Sequence, residues 1–536
     1  MSSKKKTKAL LLGTILILAG LLRFSGLGWG EGHYFHPDEN NMAQAVLALD
    51  KTGRPDFYAY GQLPLFLALF SARSGSLFSL VRHSNQLDFS KAIFFLRFWS
   101  ASAGTISVLL VYLLGRKLVN IQGGIIAAAI TAFLPGLIQA GHFGTTESLL
   151  TFFYLAIAYC SLKIYQEIKL INFIASGLFL GLALATKISA GLFFLLPLAA
   201  VSLNLKKEGG LIKNRIVGLV LLSLLALTIT LVFSPFLIIN FSQSLSTLKY
   251  EIAVAKGKII PFYTRQFLTT APFWFHIKKI LPFLLGWPAF IVSIRGIIGF
   301  IQEKKGRSLW LVVLFPSLIF FLYQGQLFAK WTRFLVPITP IFSLLFAQAT
   351  SKISKPLQYI VVIISCLPGV FFFDLVYNQS DTRYQFSSWA KENLPQASII
   401  LSESGNVVNL PIDADRQIIN FDFYQLEEEG NLDLLCQHLK MVDYIIVPSR
   451  RVFANHPSSS FPATANYYQK LFSDQLGFSL IKIFSPNSRY YWANYYYRKS
   501  ELEAEETWTV FDHPTIRLYQ KTIPFSTKDY QNILSQ

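Results

Sequence analysis

The sequence is poor in charge and in cysteine. Charged residues make up only 15% of its 536 residues, and its 48 phenylalanines outnumber its 30 acidic residues, whereas soluble proteins carry about 25% charge. Three cysteines are too few for a disulfide framework. Hydrophobic residues reach 52%, and the mean hydropathy is +0.42. This composition excludes a disordered, fibrous or disulfide-scaffold protein and predicts a membrane protein with many spans.

The net charge of +18 does not indicate nucleic-acid binding, because of where the charges lie. Residues 1–377 hold 34 basic and 12 acidic residues, whereas residues 378–536 hold 14 basic and 18 acidic residues. The basic surplus lies within and between apolar runs, where it sets membrane topology. The C-terminal part is mildly acidic, which suits a soluble domain. It does not suit a domain that binds the phosphate backbone of a nucleic acid.

Apolar runs long enough to span a bilayer recur along the first 377 residues. The first run follows four lysines and is an alternative candidate for a signal peptide, although no small-residue cleavage site follows it. The eleven predicted spans are 8–29, 92–115, 121–140, 146–166, 170–186, 188–204, 214–239, 280–301, 309–324, 334–350 and 357–377.

The basic residues predict the orientation. With the N-terminus in the cytoplasm, every predicted inner loop is basic, as the positive-inside rule requires; these loops contain Arg116-Lys117, Lys163 with Lys169, Lys206-Lys207, Lys304-Lys305 and Lys352 with Lys355. Two long outer loops then cover about 30–91 and 240–279. The apolar stretch from Leu63 to Arg82 in the first loop suggests a helix lying in the membrane interface, or alternatively a further span.

Eleven crossings place residues 378–536 outside the cytoplasm. Short apolar runs at 398–401 and 444–447 predict buried strands, and 431–440 predicts a short helix. We therefore expect a mainly α-helical polytopic membrane domain over 1–377 and an α/β domain over 378–536.

The first group of polar residues is His36-Pro37-Asp38-Glu39, about seven residues after the first predicted span. Two adjacent carboxylates are costly to desolvate above a bilayer unless something uses them. Adjacent residues cannot share one helix face, so one acid can face a cavity while backbone or a base holds the other. The same residues also suit a helix start, with proline at its first position and acids in its first turn.

A second group, Gly141 to Glu147, lies between the third and fourth predicted spans on the same side. Glu147 opens the fourth helix, and Thr146 suits an N-cap. Together with His142 and the first group, these side chains predict an acceptor site. A divalent cation held by Asp38, Glu147 and His36 is a further possibility.

Basic residues on the outer side form the third group. Lys187, Lys330 and Arg333 oppose the positive-inside bias, so they need an anionic partner or lie among lipid headgroups. Arg265 in the second outer loop adds to this surplus, and Tyr263 beside it could pack on a sugar or belong to the aromatic belt.

Acids and cations on one membrane face suit transfer of a phosphate-linked sugar. Cations stabilise the leaving phosphate, and a carboxylate takes the proton of the attacking hydroxyl.

In these motifs the chain resembles the GT-C membrane glycosyltransferases, and within them the group of protein O-mannosyltransferases and lipid A aminoarabinose transferases. The motifs that carry the resemblance are 36–39, 142–153 (HFGTTESLLTFF), 185–187, 330–340 (KWTRFLVPITP), 381–383, 389–395 and 510–514.

The resemblance implies an extracytoplasmic active site, a polyprenyl-phosphate sugar donor and inversion at the anomeric carbon. It implies that Asp38 is the catalytic base with Glu39 as its adjacent partner, and that Glu147 is the second acid. Lys187 and Arg333 match basic positions near the donor phosphate. No lumenal domain lies between spans, unlike in eukaryotic protein mannosyltransferases, and the acceptor stays open among protein, glycan and lipid.

Two other functions remain open from the sequence. A flippase for a lipid-linked sugar would use the same cations without a base, although the paired halves common in transporters are not visible. A non-catalytic assembly protein would use its soluble tail for binding, and the first-loop acids would then be helix caps. In each case we expect a multi-pass protein of the cell membrane, the inner membrane where there are two.

Overall fold

A computed structural model describes residues 3–77, 87–204, 212–302, 306–404, 410 and 416–535. The chain divides into two compact units that interleave along the sequence. The helical unit comprises Met1–Gly28, Asp38–Ala253 and His276–Phe373, and the α/β unit comprises Trp29–Pro37, Val254–Phe275 and Asp374–Gln536.

Helices account for most of the chain up to residue 376. They are α1 Ser3–Phe24, α2 Pro37–Thr52, α3 Leu63–Leu77, α4 Phe89–Leu118, α5 Ile121–Phe133, α6 Pro135–His142, α7 Glu147–Gln166, α8 Leu170–Leu184, α9 Leu195–Asn204, α10 Ile212–Phe233, α11 Phe236–Ile239, α12 Phe241–Ala255, α13 Leu281–Leu285, α14 Trp287–Gln302, α15 Arg307–Gly325, α16 Thr339–Thr350 and α17 Lys355–Val376. Short 3₁₀ segments cover Ile188–Phe194, Phe262–Phe267 and Thr332–Ile338, and His276–Ile280 is a π-helical turn.

Within the described residues, seven helices are long and apolar enough to cross a membrane: Lys6–Phe24, Phe89–Leu118, Glu147–Gln166, Ile212–Phe233, Arg307–Gly325, Thr332–Thr350 and Lys355–Val376. The number rises to nine if two bent helix pairs each form one span. α5 and α6 meet at 57° where Pro135 begins a new helix, since proline cannot donate a backbone hydrogen bond. The second pair bends by 112° at Gly286, whose φ of 74° favours glycine. The structure thus confirms a polytopic helical protein.

The predicted count of eleven includes two shorter helices. The runs 170–186 and 188–204 correspond to Leu170–Leu184 and Ile188–Asn204, which fall short of the roughly 20 residues of a typical span. Eleven spans and the direction of insertion therefore remain predictions. The apolar stretch of the first outer loop forms α3, a shorter apolar helix. The predicted sites Leu80-Val81-Arg82, Lys206-Lys207 and Lys304-Lys305 lie outside the described residues.

A buried arginine joins α1 to the break between α5 and α6. Arg23 is fully buried, and its guanidinium donates to the carbonyls of Thr131 (3.2 Å) and Ala132 (3.1 Å). These carbonyls lie in the last turn of α5, where a helix leaves acceptors without partners. Gly104 and Gly141 make room for the side chain, because a Cβ at either would lie 3.0 or 2.9 Å from Arg23.

The α/β unit contains a five-stranded mixed sheet. Its strands are β1 Ile399–Glu403, β2 Gln417–Phe421, β3 Tyr444–Val447, β4 Phe478–Phe484 and β5 Ile516–Lys521, in the order β2-β1-β3-β5-β4. β2, β1 and β3 run parallel, and β5 pairs antiparallel with β3 and β4. Its helices are α18 Thr382–Asn393, α19 Asn431–Met441, α20 Arg451–Ala454, α21 Pro462–Phe472, α22 Tyr491–Glu503, α23 Thr507–Val510 and α24 Thr527–Ser535. The predicted strands at 398–401 and 444–447 and the helix at 431–440 are confirmed.

Replacing Arg23 by methionine should destabilise the helical unit by about 2–4 kcal/mol, because two buried carbonyls lose their donor. The loss should appear as a lower Tm of the purified protein in detergent. Leu21→Ala is the matched control, since Leu21 lies on the same helix and is 55% exposed. Equal melting temperatures for the two variants would contradict the capping role of Arg23.

Candidate active site

The first acid of the sequence motif meets a cation and a phenol. Asp38 lies in the first turn of α2, and its Oδ2 pairs with the guanidinium of Arg333, from the 3₁₀ segment before α16. The hydroxyl of Tyr60 donates to the same oxygen at 3.0 Å. Both charged side chains keep partial exposure, 30% for Arg333 and 20% for Asp38. This pair is therefore accessible to a substrate.

A second acid–cation pair lies against the ring of Tyr60. Lys187 Nζ is 3.4 Å from Glu147 Oε1, at the start of α7. The same ammonium group lies 4.8 Å from the centroid of the Tyr60 ring and 5.7 Å from that of Phe334, within range of a cation–π interaction. Tyr60 thus links the two pairs into one acid–cation cluster: Asp38, Tyr60, Glu147, Lys187 and Arg333.

Backbone hydrogen bonds bring Tyr60 to Lys187. The amides of Gly61 and Leu63 donate to the carbonyls of Thr186 and Ala185, each at 3.0 Å. A Cβ on Gly61 would lie 2.0 Å from the Ala185 carbonyl oxygen, which no packing adjustment of side chains can accommodate. Glycine at 61 is therefore required for the first-loop backbone to approach the end of α8 this closely.

The cluster carries strong electrostatic coupling at its centre. Burial raises the pKa of the Tyr60 hydroxyl well above its ordinary value; Arg333 opposes the rise, and Asp38 and Glu147 add to it. The hydroxyl therefore stays protonated and donates to Asp38. Glu251 on α12 interacts with the same charges: its partial burial raises the pKa of the carboxyl, and the cations Arg333 and Lys187 lower it.

Glu39 has a different environment from its neighbour. Its carboxylate is fully buried and accepts two hydrogen bonds from Arg97 on α4, at 2.9 and 2.7 Å. The backbone amide of Gly144 donates a third, at 2.6 Å. Arg97 also donates to the carbonyl of Leu27 at 2.7 Å. The adjacency of Asp38 and Glu39 predicts this division, in which one acid is held by a base and backbone. The catalytic assignment of Glu39 is not supported, because its oxygens are occupied by structural partners.

The loop before α7 is held by buried polar contacts. His142 is fully buried, with Nδ1 2.9 Å from the Ile138 carbonyl oxygen and Nε2 2.8 Å from that of Ser25. Its ring therefore connects the end of α6 to the segment after α1. Thr146 is the N-cap residue by position, but its side chain does not cap the helix. Its hydroxyl donates to Glu147 Oε1 at 3.1 Å.

Lys330 lies just before the segment that carries Arg333. Its side chain is buried, and Nζ donates to the carbonyl of Phe328 at 2.9 Å. Burial lowers the pKa of the ammonium group to about 8. The predicted contact of Lys330 with a substrate stays a prediction.

Three predicted site residues belong to the α/β unit. Arg265 donates to the Tyr424 carbonyl at 2.7 Å, and its guanidinium lies 4.6 Å from the centroid of the Phe461 ring. These contacts give Arg265 a packing role within that unit. Tyr263 follows Phe262, with ring centroids 5.2 Å apart, and His36 lies 4.5 Å from the ring of Phe511.

The cation site considered from the sequence is not formed. Across the parts of the chain that the structure describes, no group of three or more histidine, cysteine, aspartate or glutamate side chains could hold a metal ion. Asp38 and Glu147 are each paired with a basic side chain instead.

Sequence reasoning missed Tyr60, Arg97 and Glu251. A single arginine inside the apolar run 92–115 was a usable signal, because an ionisable residue at membrane depth needs a partner. Tyr60 and Glu251 carry no such signal, since each lies in a polar loop region where such residues are common. Only the folded backbone brings them to the cluster.

The two adjacent acids should respond differently to removal of their charge. Glu39→Gln leaves the Arg97 guanidinium buried and uncompensated, which should lower stability by about 3–5 kcal/mol. Asp38→Asn should cost about 1 kcal/mol or less, because its pair is partly exposed. Thermal unfolding of the two purified variants in one detergent compares them, and an equal loss of Tm would refute the division of roles.

Residues 80–239 match the family model of the dolichyl-phosphate-mannose-protein mannosyltransferases. No curated protein sequence is significantly similar to the chain.

Solved structures match over most of the chain. The oligosaccharyltransferase AglB from Archaeoglobus fulgidus, in complex with an inhibitory peptide and a dolichol-phosphate, has a TM-score of 0.53 at 14% identity, covering 92% of this chain and 75% of its own. ArnT from Cupriavidus metallidurans in the apo state has a TM-score of 0.47 at 11% identity, covering 98% and 99%. The sequence resemblance is thus confirmed at the level of fold: the chain is a polytopic membrane protein with the GT-C fold, and its residues 80–239 are similar to the protein mannosyltransferase family.

Proposed function

We propose that the chain is an integral-membrane glycosyltransferase that moves a sugar from a polyprenyl-phosphate donor to an acceptor hydroxyl. The observation that carries this proposal is the acid–cation cluster, in which two carboxylates and two cations surround Tyr60. The family match and the dolichol-phosphate bound by the archaeal oligosaccharyltransferase support it. An apolar carrier would stay in the bilayer while its phosphate reaches the cluster.

Lys187 and Arg333 bind the donor phosphate in this proposal. Arginine offers a planar fork that matches phosphate oxygens, and lysine acts as a point charge. Each cation is paired with a carboxylate. Arg333 and Asp38 are partly exposed, and Lys187 keeps 17% of its side chain exposed, whereas Glu147 is buried. A phosphate therefore competes with Asp38 and Glu147 for the same two cations.

This competition couples donor binding to the release of the base. While Arg333 pairs with Asp38, the carboxylate is a poor proton acceptor. When the donor phosphate takes over Arg333, Asp38 loses its cation and becomes more basic. Tyr60 keeps a hydrogen bond on Oδ2 and so holds the carboxylate in place. The base is then available only when a donor is bound.

The transfer step follows from these positions. The acceptor oxygen forms a bond to the anomeric carbon as the bond from that carbon to the phosphate oxygen breaks. The acceptor proton passes to Asp38, and the bonding electron pair leaves with the phosphate, whose charge Lys187 and Arg333 stabilise. Attack opposite the departing phosphate inverts the configuration. The sugar is a hexose or pentose, and the acceptor is an extracytoplasmic protein, glycan or lipid.

Asp38→Asn should slow transfer about 10²- to 10⁴-fold while leaving the fold intact, because the amide cannot accept the proton of the acceptor hydroxyl. The measurement is release of free polyprenyl phosphate from a polyprenyl-phosphate sugar by the purified protein in nanodiscs. Retained release by the variant would remove Asp38 as the base. Movement of the donor between leaflets without cleavage would favour a flippase.

Polyprenyl phosphate without a sugar should reveal whether a phosphate competes with Asp38 and Glu147 for the two cations. Polyprenyl phosphate added at about 100 times its Kd should stabilise the wild type by about 2.7 kcal/mol. We expect this shift to disappear in Lys187→Met and Arg333→Met but to persist or increase in Asp38→Asn, which frees a cation. Loss of the shift in Asp38→Asn with its retention in the cation variants would contradict the exchange of partners.

Arg333→Ala should weaken donor use about 10- to 100-fold in kcat/KM, the effect of one lost charge-assisted hydrogen bond. Lys352→Ala is the matched control, because Lys352 is an exposed cation in the turn between α16 and α17. Its removal should leave donor use unchanged. Equal effects of the two substitutions would rule out a specific phosphate contact at Arg333.

A further inference from the structure

The helix α22 in the α/β unit has an exposed aromatic face. Tyr491 is 73% exposed, Trp492 66% and Tyr495 53%. Their ring centroids are 5.5 Å apart for the first pair and 6.2 Å apart for Trp492 and Tyr495, so the three rings form one patch. Leu502, two turns further along, is 76% exposed. Large aromatic side chains grouped on a surface usually mark an interaction site.

The opposite face of α22 fixes this orientation. Ala493, Tyr497 and Ser500 are buried against the rest of the unit. The Tyr497 hydroxyl lies 2.6 Å from Thr515 Oγ1 and donates to the His513 carbonyl at 3.1 Å. The helix therefore cannot rotate to bury its aromatic face without breaking these contacts.

The start of α22 lies beside the end of the last candidate membrane span. Asp374 is in the last turn of α17, within the apolar helix Lys355–Val376. Ser488, three residues before α22, donates to Asp374 Oδ2 at 2.7 Å and accepts a hydrogen bond from the Tyr490 amide at 3.2 Å. These contacts hold the start of α22 beside the last turn of α17.

Cations accompany the aromatic rings. Arg489 is exposed and lies 4.8 Å from the centroid of the Tyr490 ring. Arg498 is exposed on the same side of α22 as Tyr491 and Tyr495, and Lys499 follows it. Of the acids on α22, Glu501 is buried and lies 3.5 Å from Arg517, and Glu503 is half-buried, against the two cations Arg498 and Lys499. The exposed face therefore combines tyrosine, tryptophan and positive charge.

We propose that this face of α22 lies on the bilayer surface and binds anionic lipid headgroups, so that the α/β unit is held against the membrane beside the end of α17. Tyrosine and tryptophan favour the headgroup region, where a ring can contact acyl chains while its polar atom stays hydrated. Arginine and lysine beside them pair with lipid phosphates.

Spin-label accessibility in the full-length protein tests this docking. Cys160, Cys366 and Cys436 are replaced by alanine, a nitroxide is attached to Tyr495→Cys, and the protein is placed in nanodiscs with and without anionic phosphatidylglycerol. The matched control label is Met441→Cys, since Met441 is 51% exposed in the same unit at the end of α19. We expect the label at 495 to collide more often with oxygen than with a water-soluble nickel complex. The control should show the reverse.

The charge dependence gives a second readout. Anionic lipid should increase the shielding of the label at 495 from nickel, and Arg489→Gln with Arg498→Gln should remove that increase. A label at 495 as open to nickel as the control would overturn the proposal. Shielding from both reagents that persists in detergent and depends on protein concentration would also overturn it, because a second copy of the chain would then cover the face.

Discussion

A buried ion pair between Glu39 and Arg97 fixes the geometry on which the candidate site depends. The pair joins α2 to α4. The Gly144 amide also donates to Glu39, which connects the loop before α7 to the same carboxylate. Because the pair is fully buried, a shift of any of the three elements would leave a charge without a partner, at a cost of several kcal/mol. Asp38, one residue away on α2, is held in position by the same constraint.

The ion pairs of the acid–cation cluster are weaker than the buried pair of Glu39 and Arg97. Asp38 and Arg333 are partly exposed, and Lys187 is held to Glu147 at 3.4 Å. A partly solvated pair such as Asp38 and Arg333 exchanges partners at small cost, whereas the fully buried pair of Glu39 and Arg97 does not. In the proposed function, the charge of the donor provides the energy that frees the base.

Sequence reasoning reached much of this arrangement because charged residues are rare in an apolar chain. Asp38, Glu147, Lys187 and Arg333 stand out against their surroundings, and the structure brings all four into one cluster. The same reasoning placed Arg265 and Tyr263 near a substrate, although Arg265 packs within the α/β unit. A surplus of positive charge does not reveal whether each cation faces a ligand or a backbone carbonyl. That distinction depends on distances that the sequence does not contain.

The sequence by itself determined the membrane class of the protein, the polar groups that meet in the site and the strands of its C-terminal sheet, because burial and hydropathy act on each segment locally. Tertiary structure alone decided which of two neighbouring acids stays accessible, and it alone brought Tyr60 between Asp38 and Lys187. That placement rests on the Gly61 amide bonding to Thr186, a contact across 125 positions of the chain. Contacts at such separation depend on how the helices pack, and no local pattern records them.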